Sequence, residues 1–161
     1  MVYAIWAVGF GKPWAWAPRL GHYYRTAGDL GNRWGQDDPN SPSGGAGIMY
    51  NYDIQQAIPG ISAIGKTNGS FPFLDELMVG MPRGIPHGQG DIGLTEDEAR
   101  THFAIWCMMA SPLWITHNIF KPNITGPDHK SYNVNNIVAH DEALAINQVS
   151  RLLISYAWLA L

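Results

Sequence analysis

In the first third of the chain, short apolar runs alternate with loops. Residues 1–8 are mostly apolar and lead into a Gly- and Pro-containing stretch at 9–13, which predicts a buried strand followed by a loop. Residues 21–30 predict a second short strand that ends in a Gly-Asp corner. Residues 31–47 have the composition of a loop, and residues 48–64 have the spacing of a helix broken near Pro59 and Gly60.

The middle of the chain predicts a strand followed by a helix. The apolar run 71–79 carries Asp75 in its middle, and a Gly- and Pro-rich loop over 81–94 follows it. Thr95 and Glu98 form a capping box, which predicts the start of a helix. The helix should end before Pro112, and one face of it should be core, formed by Ala99, Phe103, Trp106 and Ala110.

The last third predicts a short strand at 113–115 and a short helix at 141–147 ahead of a closing strand. Strands that alternate with helices at such intervals favour an α/β fold with a parallel sheet. Chemistry in these sheets lies at the carboxyl ends of the strands. Asp29, Asp75 and Asn118 each fall at or near a predicted strand end.

Composition narrows the classes of function. The 161 residues include 46% hydrophobic residues, enough for one domain with a core. Because only 14% are charged, the net charge is -3 and like charges do not cluster, we expect neither nucleic acid nor a membrane as partner. No segment has the length of a transmembrane span or the pattern of a targeting signal. Seven tryptophans favour sugar binding only weakly, since packing is their commoner role.

Motifs for cofactor chemistry are absent from the sequence. The six histidines are too scattered for a metal site, and no phosphate-binding, dinucleotide-binding or Gly-x-Ser-x-Gly motif occurs, so we expect no metal and no cofactor. The single cysteine, Cys107, lies in an apolar helical pattern and is expected to be structural. Two glycosylation triplets, at Asn68 and Asn123, favour an extracellular or secretory location for the full-length protein.

Three segments resemble glycoside hydrolase family twenty-seven, the α-galactosidases and α-N-acetylgalactosaminidases. Residues 12–18 (KPWAWAP) and 24–30 (YRTAGDL) are similar to the family's Pro-Trp-x-Trp-x-Pro stretch and its Trp-Arg-Thr-x-Gly-Asp-Ile motif. Residues 71–80 resemble the strand Trp-Asn-Asp-Pro-Asp-Met-Leu-x-x-Gly more loosely, keeping Asp75, Leu77 and Gly80. Residues 101–113 and 145–148 resemble a helix and the closing segment of the family, so the resemblance runs from about Val2 to Gln148.

The resemblance implies a partial (β/α)8 TIM barrel. The order of the segments places residues 1–148 over about the fifth to the eighth strands with their helices, the C-terminal half of a catalytic barrel. The family's nucleophile is the aspartate of a Lys-Tyr/Phe-Asp motif on the fourth strand, and that motif does not occur in this chain. Residues 149–161 depart from the family's Asp-Pro-Leu-Gly continuation, and since Val149-Ser150 is what a translated splice donor encodes, we hypothesise intron read-through.

The resemblance also implies roles for four residues. Asp29 matches the acid/base carboxylate of a retaining glycosidase, in which the two carboxyl groups lie roughly 5 Å apart. Arg25 matches an arginine that hydrogen-bonds sugar hydroxyls, Asp75 a binding-site aspartate, and Trp6 the tryptophan after the fifth strand. Ile5 stands where the family has Glu or Asn, which leaves the sugar unassigned. A capping aspartate and a rim ion pair are the alternatives for Asp29 and Arg25.

The function implied by the resemblance is retaining hydrolysis of terminal α-D-galactosides, in carbohydrate metabolism. Without a nucleophile the fragment is expected to be inactive alone, and its ligand is expected to be an α-galactoside-type carbohydrate. The alternatives are a non-catalytic sugar-binding pseudoenzyme or half-barrel, or a related activity, either α-N-acetylgalactosaminidase or β-L-arabinopyranosidase. Uncovered sheet edges in a half-barrel predict self-association.

Overall fold

The structure is a computed structural model that describes residues 1–35, 46–61, 69–82 and 92–148. Three sequence predictions lie outside these ranges: the aberrant tail at 149–161, the closing strand, and the glycosylation triplet that begins at Asn68.

A three-stranded parallel sheet organises the described part of the chain. Its strands are β1 (Ala4–Ile5), β2 (Tyr23–Arg25) and β3 (Phe71–Phe73), in that order. β2 pairs with both neighbours, so that Ala4 lies opposite Tyr23 and Arg25 lies opposite Phe73. All three residues of β2 are buried, as expected for the central strand of a parallel sheet. The parallel pairing confirms the predicted α/β class.

The helices follow the apolar spacing of the sequence. Helix α1 (Ile48–Gln56) ends ahead of Pro59, and α2 (Glu96–Met108) begins at the predicted capping box. In this box the Thr95 Oγ1 atom accepts a hydrogen bond from the Glu98 amide, and the Glu98 carboxylate accepts one from the Thr95 amide. The predicted core face of α2 is buried. Helices α3 (Asn135–Val138) and α4 (Asp141–Gln148) complete the described chain.

Two apolar clusters form beneath and beside the sheet. The main core is built around α2 and combines residues that follow β2 or β3 with residues of α1 and α2. Its members include Leu30, Leu74 and Leu77 from the first group and Ile48, Phe103 and Trp106 from the second. The minor core lies beside β2 and consists of Ala17, Tyr24, Ile58 and Ile61, with Ile5 and Trp14 packed against them. The main core therefore supports the ends of two strands from one side.

The predicted strands are wrong in extent, since only Tyr23–Arg25 of residues 21–30 and Phe71–Phe73 of residues 71–79 form strands. Residues 1–8 contribute only the two half-buried residues of β1, and Met1, Val2 and Tyr3 are exposed, because β1 pairs with β2 alone in the described chain. Residues 113–115 form no strand, and only Ile115 makes an isolated parallel bridge, to Leu77. In a continuing strand, a backbone amide would donate to the Leu77 carbonyl. Here the Thr116 hydroxyl donates to it instead.

An antiparallel hairpin was missed. It joins β4 (Asn123–Thr125) to β5 (Ser131–Asn133). Each strand has three residues and is mostly polar, which is too short for an alternating pattern to be recognised. No helix in the described ranges combines the length and the apolar character that a membrane span requires.

Candidate active site

Four residues predicted from the sequence come together where the parallel strands end. Trp6 directly follows β1, Arg25 is the last residue of β2 with Asp29 four residues further, and Asp75 lies two residues after β3. Because parallel strands end at the same edge of a sheet, residues far apart in sequence become neighbours there. These four residues are called the carboxyl-edge cluster.

Arg25 lies at the centre of the carboxyl-edge cluster. Its side chain is 1% exposed, its Nη1 atom lies 2.9 Å from the Asp75 Oδ1 atom, and its Nη2 atom lies 3.4 Å from the Asp29 Oδ1 atom. Nη2 also donates to the Gly28 carbonyl. Burial lowers the pKa of Arg25, and the carboxylates of Asp75 and Asp29 oppose that shift. The guanidinium is thus held by two carboxylates and by the backbone of the Gly-Asp corner.

Asp75 is the buried carboxylate of the cluster. It is 5% exposed, and its Oδ2 atom accepts a hydrogen bond of 2.8 Å from the Leu30 amide. Its φ of 94° lies in the left-handed region, which Asp adopts more readily than most residues. Burial raises the pKa of Asp75, whereas Arg25 and the Leu30 amide act against the rise. Both carboxylate oxygens are therefore engaged within the protein.

Asp29 is the accessible carboxylate of the cluster, with a side chain that is 53% exposed. The backbone around it is fixed, since its carbonyl accepts from the Ala46 amide at 2.7 Å and the Gly31 amide donates to the Ala46 carbonyl at the same distance. The carboxylate is therefore open to solvent, while two backbone hydrogen bonds hold the segment that carries it.

Trp6 covers Arg25 from the solvent side. The centre of its ring lies 4.4 Å from the Arg25 Cζ atom, within the range of a cation–π contact, and the residue is 56% exposed. Beneath it, the Arg25 Nε atom is buried without a hydrogen-bond partner among the described residues. This N–H donor is therefore both unpaired among the described residues and shielded from solvent.

Two buried polar residues of α1 support the cluster and were missed by sequence reasoning. The Asn51 carboxamide donates to the Gly28 carbonyl at 3.0 Å and to the Leu74 carbonyl at 3.2 Å, which joins the segments that follow β2 and β3. The Thr26 hydroxyl donates to Gln55 Oε1 at 2.5 Å. Asn51 and Gln55 are spaced by four residues and so share a helix face, which is the signal that would have pointed to them.

Asn118, the third predicted strand-end residue, has a local role. Its side chain is exposed and accepts a hydrogen bond of 3.0 Å from the Phe120 amide, as in a turn.

Among the described residues, no group of three or more His, Cys, Asp or Glu is placed to hold a metal ion. Burial raises the pKa of Cys107 to about 11, which disfavours the reactive thiolate.

The chain is similar to several α-galactosidases, although no family model matches it. Alpha-galactosidase A of Cellvibrio japonicus is 31% identical over 150 residues, which cover 92% of this chain and 31% of the relative. The crystal structure of α-galactosidase I from Mortierella vinacea superimposes with a TM-score of 0.67 at 26% identity, covering 92% of this chain and 34% of that one.

A third comparison extends the similarity of the fold. The Saccharomyces cerevisiae α-galactosidase solved with raffinose has a TM-score of 0.68, and the match covers 93% of this chain and 31% of that one. Because its identity is 23%, this likeness supports the fold alone. The chain spans about one third of the length of these three α-galactosidases. Similarity over nearly the whole length of this chain confirms the predicted resemblance to the α-galactosidases.

Proposed function

We propose that this chain is the acid/base-bearing part of a retaining glycosidase that hydrolyses terminal α-D-galactosides. The observation that carries the proposal is the accessible carboxylate of Asp29, 3.4 Å from the buried guanidinium of Arg25 at the carboxyl edge of a parallel sheet. Similarity to α-galactosidases over nearly the whole length of this chain supports the choice of substrate class. The complete protein would act on α-galactoside-type carbohydrates, outside the cell or in the secretory pathway.

The proposed role of Asp29 is proton transfer. In retaining hydrolysis the acid/base residue first protonates the glycosidic oxygen and then takes a proton from the attacking water. Asp29 is exposed enough to approach that oxygen, and Arg25 holds one of its carboxylate oxygens in place. Both steps therefore use a carboxylate of fixed position.

Asp75 is a poor candidate for the second carboxylate of the reaction. Its oxygens are engaged by Arg25 and by the Leu30 amide, and it is 5% exposed. We propose that it acts on the sugar through Arg25, while Arg25 and Trp6 contact the sugar directly. Since the Lys-Tyr/Phe-Asp motif does not occur in the 161 residues, the nucleophile would come from another segment of a longer protein.

The proposed setting is the C-terminal half of a (β/α)8 barrel, formed by residues 1–148. Its support is the order of the sheet, in which consecutive strands are parallel neighbours, as they are in such a barrel. For residues 149–161, read-through of an intron remains the hypothesis. Alignment with genomic DNA tests it, because a tail encoded by ordinary exon sequence would contradict it.

A chimeric enzyme tests the acid/base role. Residues 1–148 would replace the matching third of the Cellvibrio japonicus α-galactosidase A, and hydrolysis of aryl α-galactosides would be measured. We expect the Asp29→Asn substitution to lower kcat by about 10²–10⁴-fold on substrates with poor leaving groups, and less on activated ones. Asp97→Asn, an exposed residue of α2, is the matched control. Equal losses for good and poor leaving groups would contradict the role.

A non-catalytic sugar-binding half-barrel is the second candidate, favoured by the missing nucleophile motif. It predicts that the 161-residue chain binds methyl α-galactoside while the chimera with intact Asp29 stays inactive. Substantial hydrolysis by the 161-residue chain alone would contradict the hypothesis that the chain is an inactive fragment. If the 161-residue chain is a monodisperse monomer that melts cooperatively, this result would count against the fragment hypothesis and against self-association.

A further inference from the structure

Asp29 also borders a pocket on the protein surface. The cavity measures about 360 Å³, at the small end of the range for ligand pockets and enough for a single ring. Trp6, Arg25 and Asp75 are not among its described lining residues. The acid/base candidate is thus shared between the carboxyl-edge cluster and a second space, which is called the aromatic pocket after Phe10, Trp14 and Tyr50 in its wall.

The outer wall of the aromatic pocket is a loop packed closely against the end of β2. The Phe10 amide donates to the Ala7 carbonyl at 2.8 Å in a turn, and Gly9 has a φ of 87°. A Cβ atom on Gly9 would lie 2.7 Å from the Thr26 carbonyl oxygen, so only glycine permits this approach. The tight loop leaves Phe10 81% exposed at the pocket.

The opposite wall comes from elements that the core holds in place. Tyr50 and Ile54 lie on α1, four residues apart, and Trp14 packs against the minor core. Trp14 and Tyr50 are both only partly buried. Aromatic surface is therefore offered on two sides of a space that Asp29 borders.

We propose that the aromatic pocket receives the leaving group of the galactoside and prefers one with a flat apolar face. This inference rests on the proposed function, since an acid/base residue stands next to the bond between the sugar and its leaving group. Aromatic side chains stack on aryl rings and cover the C–H face of a pyranose. Asp29 is the one charged residue among the described lining residues, so an anionic leaving group should be disfavoured.

Two exposed phenylalanines provide a matched test. Phe10 lines the pocket and is 81% exposed, whereas Phe120 is 87% exposed and is not among the described lining residues. Neither substitution by alanine removes a buried side chain, so both variants should fold. Binding to the full 161-residue chain would be measured by ligand-observed NMR with methyl α-galactoside, 4-nitrophenyl α-galactoside, and a disaccharide of galactose α-linked to glucose.

We expect at least one of the two larger ligands to bind about fivefold more tightly than methyl α-galactoside, the size of one aromatic contact. Phe10→Ala should remove that difference, and Phe120→Ala should retain it. Which of the larger ligands gains identifies the source of the flat face, an aryl group or a second sugar.

Two results would overturn the inference. If methyl α-galactoside binds but neither larger ligand gains, or if both variants lose the gain equally, the pocket is not the leaving-group site and the proposed function is untouched. If none of the three ligands binds, galactoside binding by this chain and the leaving-group site fall together.

Discussion

Two tryptophans approach the carboxyl-edge cluster from opposite environments. Trp106 on α2 is fully buried in the main core, and its Nε1 atom donates to the Asp75 carbonyl at 2.8 Å. Trp6 is 56% exposed and covers the Arg25 guanidinium. Two residues of the same type thus have different positions. Trp106 supports the cluster from the core, and Trp6 borders solvent. The difference teaches that rigidity and solvent access are supplied by separate parts of the molecule.

Asp75 is where the two regions meet. Its backbone carbonyl is bonded to Trp106, and its carboxylate binds Arg25 and the Leu30 amide. A shift of the core at Trp106 would therefore move Asp75 and with it the Gly-Asp corner that carries Asp29. Changes in the main core should disturb both stability and site, whereas changes on the solvent side should disturb the site alone.

The largest effect is expected from Trp106→Ala. Removing a fully buried tryptophan leaves a cavity and frees the Asp75 carbonyl, so the free energy of unfolding should fall by about 4 kcal/mol. Urea denaturation measures the change. Met108→Ala on the same helix, where the side chain is 49% exposed, is the control and should change stability by no more than about 0.5 kcal/mol. Similar losses for both variants would remove the distinction between core and surface.

The next largest effect is expected from Asp75→Asn. Asparagine keeps the size of the side chain, tolerates the left-handed backbone, and can still accept from the Leu30 amide, but it leaves the Arg25 charge with a weaker partner. Breaking a buried ion pair should lower the free energy of unfolding by about 3 kcal/mol. Asp97→Asn makes the same chemical change at an exposed position and should cost about 0.5 kcal/mol. If both substitutions lower the free energy of unfolding equally, the buried Arg25–Asp75 ion pair does not stabilise the fold more than an exposed carboxylate does.

Sequence reasoning predicted the main core better than the site. The capping box at Thr95 and the spacing of Phe103 and Trp106 depend on local rules, and α2 forms as those rules require. The contact of the Asp75 carboxylate with the Leu30 amide joins residues 45 apart, and no local pattern contains it. Strand ends placed Asp29 and Asp75 at one edge, but which of them is accessible depends on packing.

The failed strand predictions have a similar cause. Residues 1–8 have the composition of a buried strand, yet burial depends on a neighbour, and β1 pairs only with β2 in the described chain. Asn51 was missed because a polar residue in a helix usually faces solvent, whereas here it bonds two segments that only the fold brings together. What the sequence could not supply was long-range pairing.

Lowering the pH should reduce stability by a smaller amount, through a histidine in the main core. His102 is fully buried, stacks edge-on against Trp106, and its Nε2 atom accepts from the Met78 amide at 3.0 Å. Burial lowers the pKa of His102 from 6.5 to about 3. The unfolded chain therefore takes up a proton at pH values where the folded chain does not, and stability falls as pH drops below about 6.5.

Denaturation at pH 7 and pH 5 measures this contribution. The single proton of His102 should lower the free energy of unfolding by about 2 kcal/mol over that interval. His102→Gln, which retains an acceptor for the Met78 amide, should reduce the pH dependence by that amount. His140→Gln makes the same substitution at an exposed position and is the matched control. If the free energy of unfolding changes with pH by the same amount in both variants, His102 is not the source of the pH dependence.

The smallest effect on stability is expected from Trp6→Ala, although it alters the cluster directly. Its contact with Arg25 is partly solvated, so its loss should lower the free energy of unfolding by only about 0.5–1 kcal/mol. Under the proposed function, binding of methyl α-galactoside should weaken all the same. Trp114→Ala is the control, because Trp114 is 46% exposed and packs against Tyr23 and Phe73 of the sheet. It should lower stability at least as much and leave binding unchanged. If Trp6→Ala lowers the free energy of unfolding as much as Trp106→Ala does, then the solvent side of the cluster is part of the supporting core.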